Sequence, residues 1–205
     1  VGSEMCIRDR AQLEALGGPE PEAVYVAAGS CGTFAGLILG ARLAGLESRI
    51  VGVRIIEEDV ANRPKIARMV NRAARYLRRR DPSVPAVEIE PREVDLLDGY
   101  LGAAYAHPTQ EAQQATDLVA ETEGLPLETA YTGKAMAALL DHAERHPGTR
   151  LLFIDTFAEA PALEEGDYHA LPKRFWPIFD PDHRVRCWCL RAWRNPDFCW
   201  KRSGL

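Results

Sequence analysis

The segment AAGSCGTFAGL, residues 27–37, gathers small residues, two hydroxyls and a thiol where a β-like run gives way to a helical one. Gly29 and Gly32 permit tight backbone geometry, and Ser30 and Thr33 add hydroxyl donors. The first N–H groups of a helix have no intrahelical partner, and the helix dipole adds partial positive charge there. Such a turn suits an anion, phosphate above all; the same spacing also suits a plain strand–helix turn packed by small residues. It is not a Walker loop, because no Gly-Lys-Ser/Thr follows, and it is not a full G-x-G-x-x-G. The pair Glu57-Glu58 after the next β-like run keeps a dinucleotide site open, since an acid there can hold a ribose. Cys31 lies inside the turn. A thiol at a helix N-terminus tends towards a lowered pKa and reactivity; against this stands its reading as a small loop filler.

Two other groupings carry less. Cys187-x-Cys189, Cys199 and His183 lack the C-x₂-C spacing of common zinc sites, so no metal site is expected. His107 before Pro108 reads as a loop or cap residue. The five cysteines are odd in number and absent between residues 32 and 186, which is no disulfide framework and points to a reducing cytoplasm. The net charge of −5 speaks against a coat for nucleic acid or an anionic membrane. No apolar run reaches the roughly 18 residues of a membrane span.

Elements able to hold the turn are legible around it. Residues 23–28 (AVYVAA) read as a buried strand, 33–46 as a buried helix and 49–55 (RIVGVRI) as a second strand. That order is a βαβ unit and implies a parallel sheet. Residues 61–80 form a helix with Ile66, Met69, Val70, Ala73, Ala74 and Leu77 on one face. Its opposite face carries Arg63, Lys65, Arg68, Arg72, Arg75 and Arg78, read as solvated rather than as a nucleic-acid surface. Residues 84–97 read as loop and short strand. Helices are expected over 108–123, capped by Thr109 or His107, and over 133–145, and a strong strand over 150–156. The alternation gives an open three-layer α/β domain. The first ten residues, VGSEMCIRDR, resemble translated sequencing adapter and are set aside as a non-native leader. The expected divisions are therefore 1–10 leader, 11–160 α/β domain, 161–179 extension packing on it, and 180–205 tail.

Four segments, in order, resemble the D-cysteine desulfhydrase and 1-aminocyclopropane-1-carboxylate deaminase family. They are Gly29–Leu37 (GSCGTFAGL); Asp98-Gly99-Tyr100-Leu101-Gly102 with Tyr105 and Pro108; Ala130–Met136 (AYTGKAM); and Leu151–Phe157 (LLFIDTF). The resemblance implies a pyridoxal-phosphate enzyme of the tryptophan-synthase-β fold type (fold type II), present as an incomplete piece. It assigns Gly29, Ser30, Cys31, Gly32 and Thr33 to the cofactor phosphate and Thr132 to the pyridine nitrogen. Tyr131 and Tyr100 become the residues near the substrate. Lys134 is read as a helix-start residue with a structural salt bridge.

In such a family a lysine binds the cofactor covalently, well upstream of the phosphate loop. This chain offers only Lys65, Lys134, Lys173 and Lys201, none in a matching context. The implied activity is β-elimination from a small amino acid, giving keto acid, ammonia and sulfide, by an intact homodimer. Threonine at 132, where the deaminases resemble glutamate, favours the sulfur-releasing branch. Two other readings stay open on the residues alone: a nicotinamide dinucleotide-binding oxidoreductase domain, and a non-catalytic anion- or nucleotide-binding module.

Overall fold

The computed structural model describes residues 18–156, together with Gln12, Ala15 and residues 172–175. The chain divides into two units, Val1–Ala158 and Glu159–Leu205. In the second, only a 3₁₀ turn at Lys173–Phe175 is described. The expected leader, most of the extension, and the tail with His183, Cys187, Cys189 and Cys199 lie outside the described residues.

In the first unit β1 (Ala23–Ala28) leads through a short turn into α1 (Gly32–Ala44) and on to β2 (Arg49–Arg54). Helix α2 (Arg63–Arg80), a 3₁₀ turn at Pro91–Glu93 and β3 (Asp95–Leu97) follow. Helices α3 (Gln110–Glu123) and α4 (Thr132–Arg145) precede β4 (Leu151–Phe153). All pairings are parallel and the strand order is β3-β2-β1-β4. This is the open three-layer α/β arrangement read from the sequence. Val24, Val26 and Ala28 on one face of β1 join Phe34, Leu37 and Ile38 of α1 and Ile66 and Val70 of α2. Tyr25, Val51 and Val53 on the other face join Ala135 and Ala138 of α4; α3 packs on α4.

Local chemistry sets the ends. Helix α1 stops at Ala44, two residues earlier than expected, because Gly45 turns left-handed at φ 65° and returns its N–H to the last carbonyls. Asn62 starts α2 by accepting from the Lys65 N–H at 3.0 Å, so the helix begins two residues later than read, with Pro64 in its first turn. Ala73, assigned to the apolar face, is exposed. Part of the basic face is structural: Arg63 donates to the carbonyls of Val94 and Leu96, fastening the short β3. Thr109, not His107, caps α3, accepting from Ala112 N–H at 3.1 Å.

Strand β4 is shorter than the expected 150–156. It pairs only with Ala23–Tyr25 of β1, and its last bond is Ile154 N–H to the Tyr25 carbonyl at 2.9 Å. Beyond that the two strands part.

Gly52 marks the tightest contact of helix and sheet. A Cβ there would lie 2.5 Å from Cε1 of Phe34, a ring with no exposed surface. Gly52→Ala is therefore expected to destabilise the protein by about 1–3 kcal/mol through overpacking. Urea unfolding of the variant checks this; an unchanged midpoint would contradict it.

Candidate functional site

The strand order reverses beside β1, with β2 and β3 on one side and β4 on the other. In an open parallel sheet, ligands bind outside the carboxyl ends of the strands at such a switch. A cleft of about 370 Å³ lies there, within the ~300–1,000 Å³ usual for small-molecule sites. Ala27, Gly29 and Ser30 reach it from β1 and its turn, Ile55 from the end of β2, and Thr156 from beyond β4. Glu128, Tyr131 and Thr132 reach it from the start of α4. A second hollow, at the opposite edge of the sheet, is lined by Arg42, Glu93, Arg49 and Asp95, whose charges are already paired with one another.

The glycine turn works differently from its sequence reading. The left-handed residue is Cys31, at φ 68°, and neither Gly29 nor Gly32 has a positive φ. Gly29 supplies room instead: a Cβ on it would stand 3.4 Å from Ile55 Cδ1 and 4.0 Å from Tyr131 Cε1, in the mouth of the cleft. Ser30 is exposed. Gly32 and Thr33 open α1, where the Cys31 carbonyl accepts the first helical bond from Ala35 at 2.9 Å. Of the six residues assigned to the cofactor, Gly29, Ser30 and Thr132 line the cleft. Cys31, Gly32 and Thr33 do not line it and contribute the adjoining helix start.

The N-terminus of α4 is built by Glu128. Its carboxylate accepts the backbone N–H groups of Ala130, Tyr131 and Thr132 at 2.7, 2.7 and 2.8 Å, and a carboxylate is favourable at the positive end of a helix. Thr132 is 1% exposed. Its hydroxyl accepts from the Glu128 N–H at 3.0 Å and donates back to the Glu128 carbonyl at 3.3 Å. That hydroxyl, assigned by resemblance to a ring nitrogen, thus closes the turn before α4. Thr156 brings an exposed threonine to the same cleft.

The tyrosines divide sharply. The Tyr131 hydroxyl is hydrogen-bonded to that of Tyr105, the rings meeting edge to face with centroids 5.7 Å apart. Burial first, then the bond to Tyr105, raises the Tyr131 pKa, so the phenol stays protonated through neutral pH. Tyr100 donates instead to Asp141 Oδ2 at 2.7 Å and does not line the cleft. Burial and that carboxylate push its pKa up to about 12.

Sequence reasoning quoted Tyr105 and Thr156 within the resembling segments but gave them no role, and it passed over Glu128. Tyr105 and Thr156 each carried a signal. Tyr105 shares a loop with Tyr100, and Thr156 ends the strand-like run 150–156, where parallel strands present their site residues.

Lys134 makes a different contact from the expected salt bridge. It has no exposed surface, and its ammonium donates to the Leu101 carbonyl at 2.7 Å. Burial lowers its pKa, opposed by the charges of Glu128 and Glu57. Lys65 donates to the Val60 carbonyl at 2.5 Å; neither lysine lines the cleft. The acids proposed for a ribose are also elsewhere. Glu58 pairs with Arg54 at 3.7 Å, and Glu57 accepts the Tyr105 N–H at 3.4 Å. Neither reaches the cleft.

Cys31 lacks the activation that its position suggested. It is 2% exposed, its thiol donates to the Gly29 carbonyl at 3.2 Å, and burial raises its pKa despite the charge of Lys65. The thiolate fraction at neutral pH is correspondingly below that of an ordinary cysteine. Alkylation followed by mass spectrometry of the Cys31 peptide should therefore be slower in the folded protein than after denaturation. Faster labelling in the folded state would contradict this.

The comparisons with known proteins agree with this geometry. The family model described as "Pyridoxal-phosphate dependent enzyme" matches residues 1–156. A D-cysteine desulfhydrase of Yersinia pestis (strain Pestoides F) is 35% identical over 153 residues, covering 73% of this chain and 44% of the relative. One from Serratia proteamaculans (strain 568) is 32% identical over 167 residues, covering 80% and 47%. A crystal structure titled an ACC deaminase homologue superposes with a TM-score of 0.60 at 30% identity, covering 75% of this chain and 45% of that one. The chain thus spans less than half the length of these relatives. Neither the nicotinamide reading nor the non-catalytic module finds support in these matches. A cleft at the switch point, walled by a small-residue turn, a helix start and the Tyr131 phenol, is here joined to a family match over three quarters of the sequence: the chain belongs to the pyridoxal-phosphate dependent enzyme family.

Proposed function

We propose that the protein carrying this chain catalyses β-elimination from a small sulfur-bearing amino acid, with D-cysteine as the leading substrate. The carbon–sulfur bond breaks, sulfide leaves, and water releases a keto acid and ammonia. The observation that carries the reading is the Tyr105–Tyr131 hydroxyl pair, whose Tyr131 member lines the cleft together with Gly29 and Ser30.

The residues present fit the cofactor. The mouth of the cleft beside Gly29 would be narrowed by any Cβ, leaving a cradle for a phosphate. Gly29 and Ser30, which line the cleft, and the adjoining first turn of α1 would hold that phosphate through backbone N–H groups and the Ser30 hydroxyl. Bound pyridoxal phosphate supplies an electron sink for the charge left on the substrate's α-carbon. Thr156, exposed at the cleft, would supply a hydroxyl for the ring nitrogen, whereas the Thr132 hydroxyl is held by Glu128. A hydroxyl donor there would favour a neutral nitrogen.

Tyr131, protonated at neutral pH, acts as a donor and not as a base. It orients the substrate or delivers a proton to the departing sulfur, and Tyr105 returns a proton to it through their shared hydrogen bond. Tyr100, engaged by Asp141, is left with a structural role. Neither Lys65 nor Lys134 lines the cleft, which supports a covalent lysine in the part of the relatives' length that this chain does not span. The buried, unpaired Cys31 fits a reducing cytoplasm. A homodimer is the assembly implied by the sequence resemblance. Among the described residues no helix is long and apolar enough to cross a membrane.

The intact protein, supplied with pyridoxal phosphate and D-cysteine, should release sulfide, ammonia and keto acid in equal amounts. Tyr131→Phe should lower kcat by about 10²–10⁴-fold with cofactor content unchanged. Turnover of D-cysteine by the variant at the wild-type rate would refute the role. Because its pKa is raised, Tyr131 stays in its active protonated form from neutral pH up to at least the ordinary tyrosine value. No loss of rate assignable to it is expected below about pH 10. A separate variant, Gly29→Val, should abolish cofactor absorbance while leaving the fold intact by circular dichroism.

A further inference from the structure

Loop 98–108 carries Tyr105 from the end of β3 to the start of α3. It turns sharply three times, at Gly99, Gly102 and Ala106, with φ of 97°, 75° and 61°. No strand or helix covers this stretch, so its path must be fixed from outside. Near its start Arg54 pairs with Asp98 at 2.8 Å and Asp141 accepts from Tyr100 at 2.7 Å; two further charged side chains hold the stretch that leads to Tyr105. Lys134, from the first turn of α4, donates its ammonium to the Leu101 carbonyl at 2.7 Å. Glu57, from the turn after β2, accepts the Tyr105 N–H on Oε1 at 3.4 Å.

Both groups are costly where they sit. Lys134 has no exposed surface, and Oε2 of Glu57 is buried with no hydrogen-bond partner among the described residues. A buried ammonium and a buried carboxylate oxygen are tolerated only for what they hold in place. An apolar residue at 134 would suit the interior of α4 better, flanked as it is by buried Gly133 and Ala135. It could not, however, fasten a carbonyl of a loop lacking a ladder of its own. Burial lowers the pKa of the lysine, and the charges of Glu128 and Glu57 oppose that lowering.

We propose that Lys134 is a positioning residue: with Glu57 it holds loop 98–108 in place, so that the Tyr105 hydroxyl meets that of Tyr131 at the cleft. The two tethers fall on either side of Gly102, and Tyr105 is itself the residue bound by Glu57. The phenol paired with the cleft's Tyr131 is thus delivered by a lysine and a glutamate that do not touch the cleft. The importance of the pair for catalysis rests on the function proposed above; the tether itself does not.

The test is Lys134→Met, which keeps side-chain length and removes the donor, in the intact protein labelled with ¹³C-tyrosine and without substrate. Exchange of the Tyr105 amide should quicken about tenfold, as expected when the hydrogen bonds closing a local segment are lost. The Tyr131 Cζ resonance should move to the position it takes in Tyr105→Phe, where the hydroxyl pair is removed directly. A lysine that only stabilised α4 would lower the thermal midpoint and leave both signals at their wild-type values, and that result overturns the proposal. If Lys134→Met does not fold, Glu57→Ala removes the other tether. It must displace the same Tyr131 resonance, and an unchanged resonance overturns the proposal equally. Neither readout needs cofactor or turnover, so a failed tether is distinguishable from a failed assignment of Tyr131, which shows only as unchanged kcat in Tyr131→Phe.

Discussion

Where α1 begins is decided by a ring lying over a missing side chain. Phe34 occupies the space that any Cβ at position 52 would claim, so α1 sits closer to β2 than a helix facing an ordinary strand residue. Its N-terminus is thereby brought down onto the end of β1. The turn between them has only Gly29, Ser30 and Cys31 to spend. One residue must go left-handed, and Cys31 does so, its thiol tucked against the Gly29 carbonyl. The small side chains of the turn follow from this short closure and leave the cleft its open mouth.

The opposite wall obeys a different constraint. Helix α4 starts at the cleft because Glu128 supplies the acceptors for three N–H groups at once. Gly133 then lets α3 approach closely, since a Cβ there would meet Thr116 Oγ1 at 2.6 Å and the Ala112 carbonyl at 2.9 Å. One helix faces the cleft with an uncapped turn and the other with a carboxylate-capped one. The same backbone feature, a helix N-terminus, therefore adjoins the proposed phosphate site on one side and fixes a tyrosine on the other.

Much of this was legible in the residues. The βαβ unit, the parallel sheet and the small-residue turn follow from apolar runs and glycine placement, which are local. The split between Tyr100 and Tyr105 was not legible. Both lie in one loop of similar composition, and only the backbone path through Gly99, Gly102 and Ala106 turns one towards Asp141 and the other towards Tyr131. Lys134 was misread for a related reason. Its partner is a backbone carbonyl, which has no residue signature, whereas a salt bridge would have named a carboxylate. Glu128 lies four residues before α4, outside the Ser, Thr, Asp and Asn positions by which helix starts are recognised. For Cys31 the position in sequence suggested activation, and burial reversed it.

The parting of β1 and β4 has a mechanical consequence. Their ladder ends at the bond from Ile154 to Tyr25, yet β1 runs on to Ala28 beside β2. The seam that carries the cleft is thus unstitched over its upper half, while the neighbouring seam is stitched to the end. Widening the cleft by swinging Thr156 outward breaks no β1–β4 bond beyond Ile154. Widening it from the β2 side would tear a full ladder. Compliance is confined to one lip of the cleft, and the lip bearing the glycine turn stays rigid.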